Sequence, residues 1–185
     1  MLPAELDSLS SEVIPGATGA TGSALAAEGF SAFLSAVSTA SSTQLTGWTV
    51  TSPYYNIATF DEVTGNYTVP STGTYAIEAT VNYSTTAEIT VSLGAGITPS
   101  FVVSRTSPTV TDLISGLFPV LNVNVALVLT LRTILSDGTV TLTGSVELTA
   151  GDVVGLFYVA NGLTVPLDLG SAGMPGIIWS MFRLS

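Results

Sequence analysis

The chain has no cysteine, no histidine and no lysine, and its only cationic side chains are Arg105, Arg132 and Arg183. Without cysteine there is neither a disulfide framework nor a thiol nucleophile, and without histidine the usual triads and zinc sites cannot be assembled. Thirteen carboxylates against three arginines leave a net charge of −10. That balance argues against nucleic acid and anionic membrane surfaces as partners, since both are recognised through clustered basic side chains. Charge of either sign is scarce: 9% of residues are charged and 46% hydrophobic, with serine and threonine filling most polar positions. So little charge on so aliphatic a chain implies apolar area shared between subunits. Long unbroken apolar runs are missing too. The most apolar stretch, Leu113 to Leu135, is interrupted by Gly116, Pro119, Asn122, Asn124 and Arg132, which argues against membrane insertion. The first residues carry Glu5, Asp7 and Glu12 where a secretory signal has a basic segment and an apolar core, so no signal peptide is read there.

At 185 residues the chain has room for one domain with a real core and a short tail. Residues 1–15 read as a flexible tail. After Pro15 three triplets keep one register over residues 16–24: Gly16-Ala17-Thr18, Gly19-Ala20-Thr21, Gly22-Ser23-Ala24. Glycine at every third position is what a collagen triple helix requires at its axis, although three triplets cannot hold one alone, and a flexible Gly/Ala/Thr linker fits the spacing equally. From Ala24 to Ala40 alanine content favours helix, but Gly29 breaks the pattern and Phe30, Ala32 and Leu34 alternate with Ser31, Phe33 and Ser35, which predicts a first strand.

Period-two patterning governs the rest. Tyr75, Ile77, Ala79, Val81 and Tyr83 share one face of a long strand, and Ile89, Val91 and Leu93 suggest another. Residues 107–121, with two prolines and Gly116, read as a long loop. Leu127, Leu129 and Leu131 lie on one face of a strand that Asp137-Gly138 is expected to turn into a hairpin with Val140 to Leu148. Val153 to Val159 is almost continuously apolar, as a strand covered on both faces is. Residues 161–176 read as a second loop, and Ile177 to Leu184 as a final strand inside a sheet. Many short strands with no convincing helix predict an all-β sandwich or jelly roll.

The most distinctive stretch runs from Phe60 to Tyr75. It sets Phe60-Asp61 before Gly65-Asn66-Tyr67-Thr68-Val69-Pro70, then Gly73-Thr74-Tyr75, and is answered late in the chain by Leu148 with Gly151-Asp152-Val153-Val154. Together with Phe30-Ser31-Ala32, Tyr55-Asn56 and the apolar terminal strand, this ordered set over residues 28–185 resembles the globular head family of complement component C1q, related in fold to tumour necrosis factor. The resemblance implies a ten-stranded jelly-roll sandwich assembled as a homotrimer, commonly at the end of a collagen stalk. In that light the Gly16, Gly19 and Gly22 register looks like a stalk stub, similar to bacterial filament proteins of the outer spore layer, the exosporium. The implied role is a structural trimerisation head on a spore or cell surface. The three-fold core is expected at Phe30, Leu34, Leu127, Leu129, Leu131 and Trp179.

Other chemistry is thinly supplied. No cofactor is expected. Some members of the resembled family bind calcium, and Asp61, Glu62 and Asp152 are the carboxylates that could serve, although turn carboxylates usually cap backbone amides instead. Glu78, Glu147 and Asp168 have no supporting catalytic motif, so an enzyme is not expected. Asn66-Tyr67-Thr68 and Asn82-Tyr83-Ser84 match the N-glycosylation sequon by coincidence in a bacterial chain. Trp48, Tyr54 and Tyr55 could stack on a sugar but more often plug a sandwich edge. Arg132 is expected to meet a carboxylate at a subunit contact. The alternative reading is a trimeric adhesin that binds glycan or a surface protein through residues 107–124 and 161–176.

Overall fold

A computed structural model of the chain describes residues 28–57, 59–85, 93–125, 129–134, 136–170 and 176–185. The tail, the Gly16, Gly19 and Gly22 triplets, the expected strand at Ile89 and Val91, and Leu127 lie outside the described residues. Fifteen strands follow one another: β1 Gly29–Leu34, β2 Ala36–Thr39, β3 Thr43–Gln44, β4 Tyr55–Asn56, β5 Phe60–Asp61, β6 Asn66–Thr68, β7 Gly73–Thr85 and β8 Ser100–Ser107. The second half contributes β9 Thr111–Leu117, β10 Val120–Val125, β11 Leu129–Ile134, β12 Asp137–Leu148, β13 Val153–Val159, β14 Leu167–Gly170 and β15 Ile177–Arg183. There is no α-helix among the described residues, and no helix is long and apolar enough to cross a membrane.

The strands form two antiparallel sheets and a separate hairpin. In the first sheet β7 is the spine, with β12 along one edge and β15 followed by β14 along the other. Strands β1 and β2 then flank β15 and β14, and β4 closes beyond β1. The second sheet runs β5-β6-β13-β8-β9, with β3 also on β13. Among the described residues the count is fifteen against the expected ten, because a break at Ser35 separates β1 from β2 and because the two-residue pairings β3, β4 and β5, the short β14 and the β10–β11 hairpin are counted separately.

Alternation in β7 does what the sequence predicts: Tyr75, Ile77, Ala79, Val81 and Tyr83 are buried against the second sheet, while Ala76, Glu78, Thr80, Asn82 and Ser84 face outward. Burying each larger side chain contributes roughly 2 kcal/mol. The terminal strand β15 lies between β7 and β1, inside its sheet as expected. Val154, Leu156 and Tyr158 of β13 are fully buried at the centre of the second sheet.

Three expectations fail in register. Residues 107–121 are not a loop, since β9 pairs with β8 from Thr111 to Leu117. Pro108 and Pro119 sit outside the strand rather than in it, and an edge strand tolerates flanking prolines. Asp137-Gly138 is not a hairpin turn. Both residues are already paired, with Ser84 and Tyr83, and β12 continues along β7, whereas Leu129 and Leu131 belong to β11, whose partner is β10. Residues 161–176 contain β14, which joins β7 to β2.

The two sheets are drawn together on the β9 and β12 side by missing side chains. A Cβ on Gly116 would lie 2.6 Å from Val140 Cγ1, and one on Gly144 would lie 2.7 Å from Ile114 Cδ1. Glycine at both positions lets the edges meet without a gap.

Candidate functional site

The Phe60–Tyr75 corner is built by its own side chains. Asp61 Oδ1 accepts hydrogen bonds from the amides of Val63 (2.9 Å) and Thr64 (3.3 Å), and Oδ2 accepts one from the Thr64 hydroxyl (2.8 Å). The Thr64 hydroxyl above all, then the two amides, hold the Asp61 carboxyl below the usual carboxylate range. Gly65 completes the turn at φ 72°, a left-handed conformation that glycine adopts without cost. The chain then enters β6 with Tyr67 fully buried, and leaves through the exposed Pro70 toward Gly73 and β7.

Gly151 and Asp152 lock this corner from the far side. The Val69 amide donates to Asp152 O and the Gly151 amide donates to Val69 O, both at 2.8 Å. The Asp152 side chain is 4% exposed; its Oδ2 accepts from the Thr149 amide at 2.9 Å and pairs with Arg105 Nη1 at 3.3 Å. The family-pattern residues Phe60, Gly65, Tyr67, Pro70, Gly73, Tyr75, Gly151 and Asp152 are therefore brought together as a structural corner.

The same geometry answers the calcium question. Both Asp61 oxygens are committed to their own turn and Asp152 to Arg105 and Thr149. Among the described residues no three acidic side chains come together in a way that would hold a metal ion. Asp61 and Asp152, as placed, do not fit such an ion.

Beside the corner lies the aromatic heart of the protomer. The Phe30 ring stacks on Phe60 at 4.0 Å between centroids and meets Trp179 edge-on at 4.9 Å, with Tyr67 at 5.1 Å. Trp48, expected at a sandwich edge, packs into the group 5.6 Å from Trp179 and donates its Nε1 hydrogen to Leu45 O. Phe30 and Trp179 are 0% exposed and Leu34 6% in the single chain. These three expected members of a three-fold core are thus covered by their own protomer, because alternation points them between the sheets.

What the first sheet offers outward is a different set. Reading across β1, β15, β7 and β12, the register aligns Phe33, Ile178, Thr80 and Thr141 in one row, and Ser31, Ser180, Glu78 and Thr143 in the next. A third row holds Phe182, Ala76 and Ser145. Tyr54 lies on Phe33 with ring centroids 4.8 Å apart, and Ser180 Oγ donates to Ser31 Oγ at 2.8 Å. The face is flat, small-residued and hydroxyl-rich, with apolar relief at Phe33, Ile178 and Phe182 and one central carboxylate, Glu78. Sequence alternation marks these positions as outward, but only the register sets them side by side.

At one end of this sheet the chain enters. Glu28 accepts hydrogen bonds from Ser71 Oγ (2.9 Å) and Tyr75 OH (3.3 Å) and pairs with Arg183 Nη1 at 3.4 Å. Arg183 in turn donates to Thr72 O at 3.0 Å and Ser185 O at 2.8 Å. Entry, exit and corner are fastened at one place. Arg132 does not meet a carboxylate in its described hydrogen bond; its Nη1 donates to Gly94 O at 2.6 Å.

No family model matches the chain, and no curated protein matches it. Solved structures do. The Eiger TNF of S. frugiperda is 15% identical, with 86% of this chain and 93% of that one covered and a TM-score of 0.59. Murine APRIL is 15% identical, covers 85% and 99%, and gives 0.53. The globular domain of zebrafish complement 1qA is 14% identical, covers 85% and 98%, and gives 0.50. At such identities the likeness is one of fold, and this chain has the jelly-roll fold of the C1q and TNF domains.

Proposed function

We propose that the chain is the trimerising head of a collagen-like filament on a bacterial cell or spore surface, and that its work is structural rather than enzymatic. The observation that carries the reading is the outward face of the first sheet. Phe33, Ile178, Phe182, Ala76 and Thr80 form a surface in which Glu78 is the one charge at the centre, with Asp137, Glu147 and Asp168 toward its margins, on a chain of net charge −10. On the opposite flank Leu117 is 65% exposed and Leu121 44%. A face on one side and an apolar edge on another suit a heterologous contact, which closes into a ring when the rotation is three-fold.

The mechanism follows from where the chain enters. A three-fold axis sets three copies of Glu28 at one height, so the residues before it leave the head in common register. Nucleating a triple helix requires three chains aligned at one end, and a trimeric head meets that requirement by raising local concentration. The Glu28 fastening to Ser71, Tyr75 and Arg183 transmits that alignment instead of losing it in a loose first residue. The absence of histidine, cysteine and lysine supports the non-enzymatic half of the reading.

Two measurements test it. Light scattering behind size exclusion is expected to give three times the chain mass of 18.9 kDa, and a monomer would remove the mechanism. A lengthened Gly-Ala-Thr stalk fused to the head is expected to show the triple-helix circular dichroism signal, and the same stalk without the head is not.

A further inference from the structure

We infer that the outer face of the second sheet carries a binding groove for a neutral sugar, within each protomer and independent of the assembly proposed above. The groove is open to solvent, offers about 470 Å³ and is lined from β3, β8, β13 and the segments beside them, with Phe157 and Val110 among its apolar members and Ser42, Gln44, Ser104 and Thr106 among its polar ones. This volume lies in the range of small-molecule sites and has room for one or two sugar rings.

The groove is shaped by a missing side chain. Gly155 is two residues before Phe157, so both face outward on β13, and Phe157 Cε2 lies 3.0 Å from where a Cβ of Gly155 would be. The edge of the Phe157 ring and, closer still at 2.7 Å, the Gln44 Nε2 therefore occupy the space that a side chain at position 155 would fill. Gln44 is opposite Phe157 in the register, and its Nε2 donates to Asn66 Oδ1 at 2.8 Å, which fixes the amide beside the ring.

The hydroxyls around this ring are oriented by the fold in complementary ways. Ser42 Oγ accepts from the Ala160 amide at 2.9 Å, so its own hydrogen remains to be given. Ser104 Oγ donates to Asp112 Oδ1 at 2.7 Å and Thr106 Oγ1 donates to Val153 O at 3.3 Å, so each keeps lone pairs to receive. An aromatic ring set among fixed donors and acceptors suits a molecule with an apolar flat side and hydroxyls at its rim, which is a pyranose. Charge selects further. No ionised side chain lines the groove, and the net charge of −10 disfavours sulfated, phosphorylated or uronic sugars.

The test uses the full chain with glucose, galactose, mannose and N-acetylglucosamine as probes and glucuronate as the charged control. Titration followed by NMR is expected to show saturable millimolar binding of at least one neutral sugar. The shifts should concentrate at the Gln44 side-chain amide, at residues 104–106 and at 155–159. Phe157→Leu keeps an apolar side chain but removes the ring, and is expected to weaken binding about tenfold at unchanged unfolding temperature. Should that variant misfold, the wild-type shift map decides alone. No saturable binding of any neutral sugar, shifts confined to other residues, or stronger binding of glucuronate overturns the inference, as does a folded Phe157→Leu protein that binds like wild type.

Discussion

Gly65 carries more of the fold than its size suggests. Its φ of 72° is strained for any other residue, and a Cβ there would lie 2.7 Å from Trp48 Nε1, with the Leu45 carbonyl oxygen closer still. A backbone oxygen cannot swing away, so the Leu45 contact is relieved only by shifting the turn itself, and the Trp48 contact only by disturbing its packing on Trp179. Gly65→Ala is expected to cost about 3 kcal/mol, more than an ordinary loop glycine, and chemical denaturation of the two proteins checks it. Tyrosines give a second prediction at this scale. Burial pushes the Tyr158 phenol from its ordinary value of 10.0 up to about 12, and burial also raises Tyr67, Tyr75 and Tyr83. A raised folded-state value means that the neutral phenol is favoured in the fold. The stabilisation is complete below pH 10 and is lost as the pH climbs toward about 12. Phenolate absorbance of these residues is therefore expected to appear together with unfolding in that window. Smooth ionisation with the β-sheet dichroism intact would contradict it.

Among the described residues, the β10–β11 hairpin pairs with neither sheet, although the Leu93 amide donates to Arg132 O of β11 at 2.7 Å. Its roots matter more than its tip, because Phe118 and Ile134 are buried in the core at 3% and 1% exposure. Replacing residues 122–132 with an Asn-Gly turn that joins Leu121 to Thr133 is expected to move the melting temperature by no more than about 4 °C. A collapse of the thermal transition would show the hairpin to be part of the folding unit. This hairpin is also where reading the sequence went astray, and the reason is physical. An Asp-Gly pair between two alternating runs signals a hairpin through local conformation, but β12 finds a longer partner in β7, twelve residue pairs from Asp137 to Leu148. Local signals lose to extensive tertiary pairing. Strand β9 was hidden for the opposite reason: as an edge strand it needs only one ordered face, and its alternation of Leu113, Ile114 and Ser115 across a register shift is too irregular to read. By contrast β7, β15 and the corner were legible because their patterning and turn residues agree with the fold they enter, whereas β13 was legible as a strand from its apolar run but is only partly buried on the Phe157 face instead of covered on both. The outward face of the first sheet was legible only in part. Alternation in β7 assigns Thr80 to an outward position, but apolar character alone does not separate outward residues such as Ile178 from Phe30 and Trp179, which the single protomer buries.

For the whole molecule, the decisive question is whether the outward face of the first sheet is covered. Ile178 stands between Phe33 and Thr80 in the row that crosses the sheet, and it is only partly buried in the single chain. A carboxylate there would therefore remain hydrated in a monomer and cost it little, but in a trimer that covers this face it would be trapped beside apolar side chains and near Glu78. Ile178→Asp is accordingly expected to shift the scattering mass from three chains to one, 18.9 kDa, while the circular dichroism spectrum of the fold persists. Val63→Asp, in the exposed turn after β5 of the second sheet, serves as the comparison, since it adds the same charge away from this face. If both variants kept the trimer mass, the subunits would have to meet through another surface, with the exposed Leu117 and Leu121 flank the next to be tested. If both lost it, repulsion among chains that already carry −10 each would be the cause, and raising the salt concentration should restore the trimer. Only loss in Ile178→Asp alone ties assembly to the row of Phe33, Ile178 and Thr80, and so to the sheet that receives the chain at Glu28.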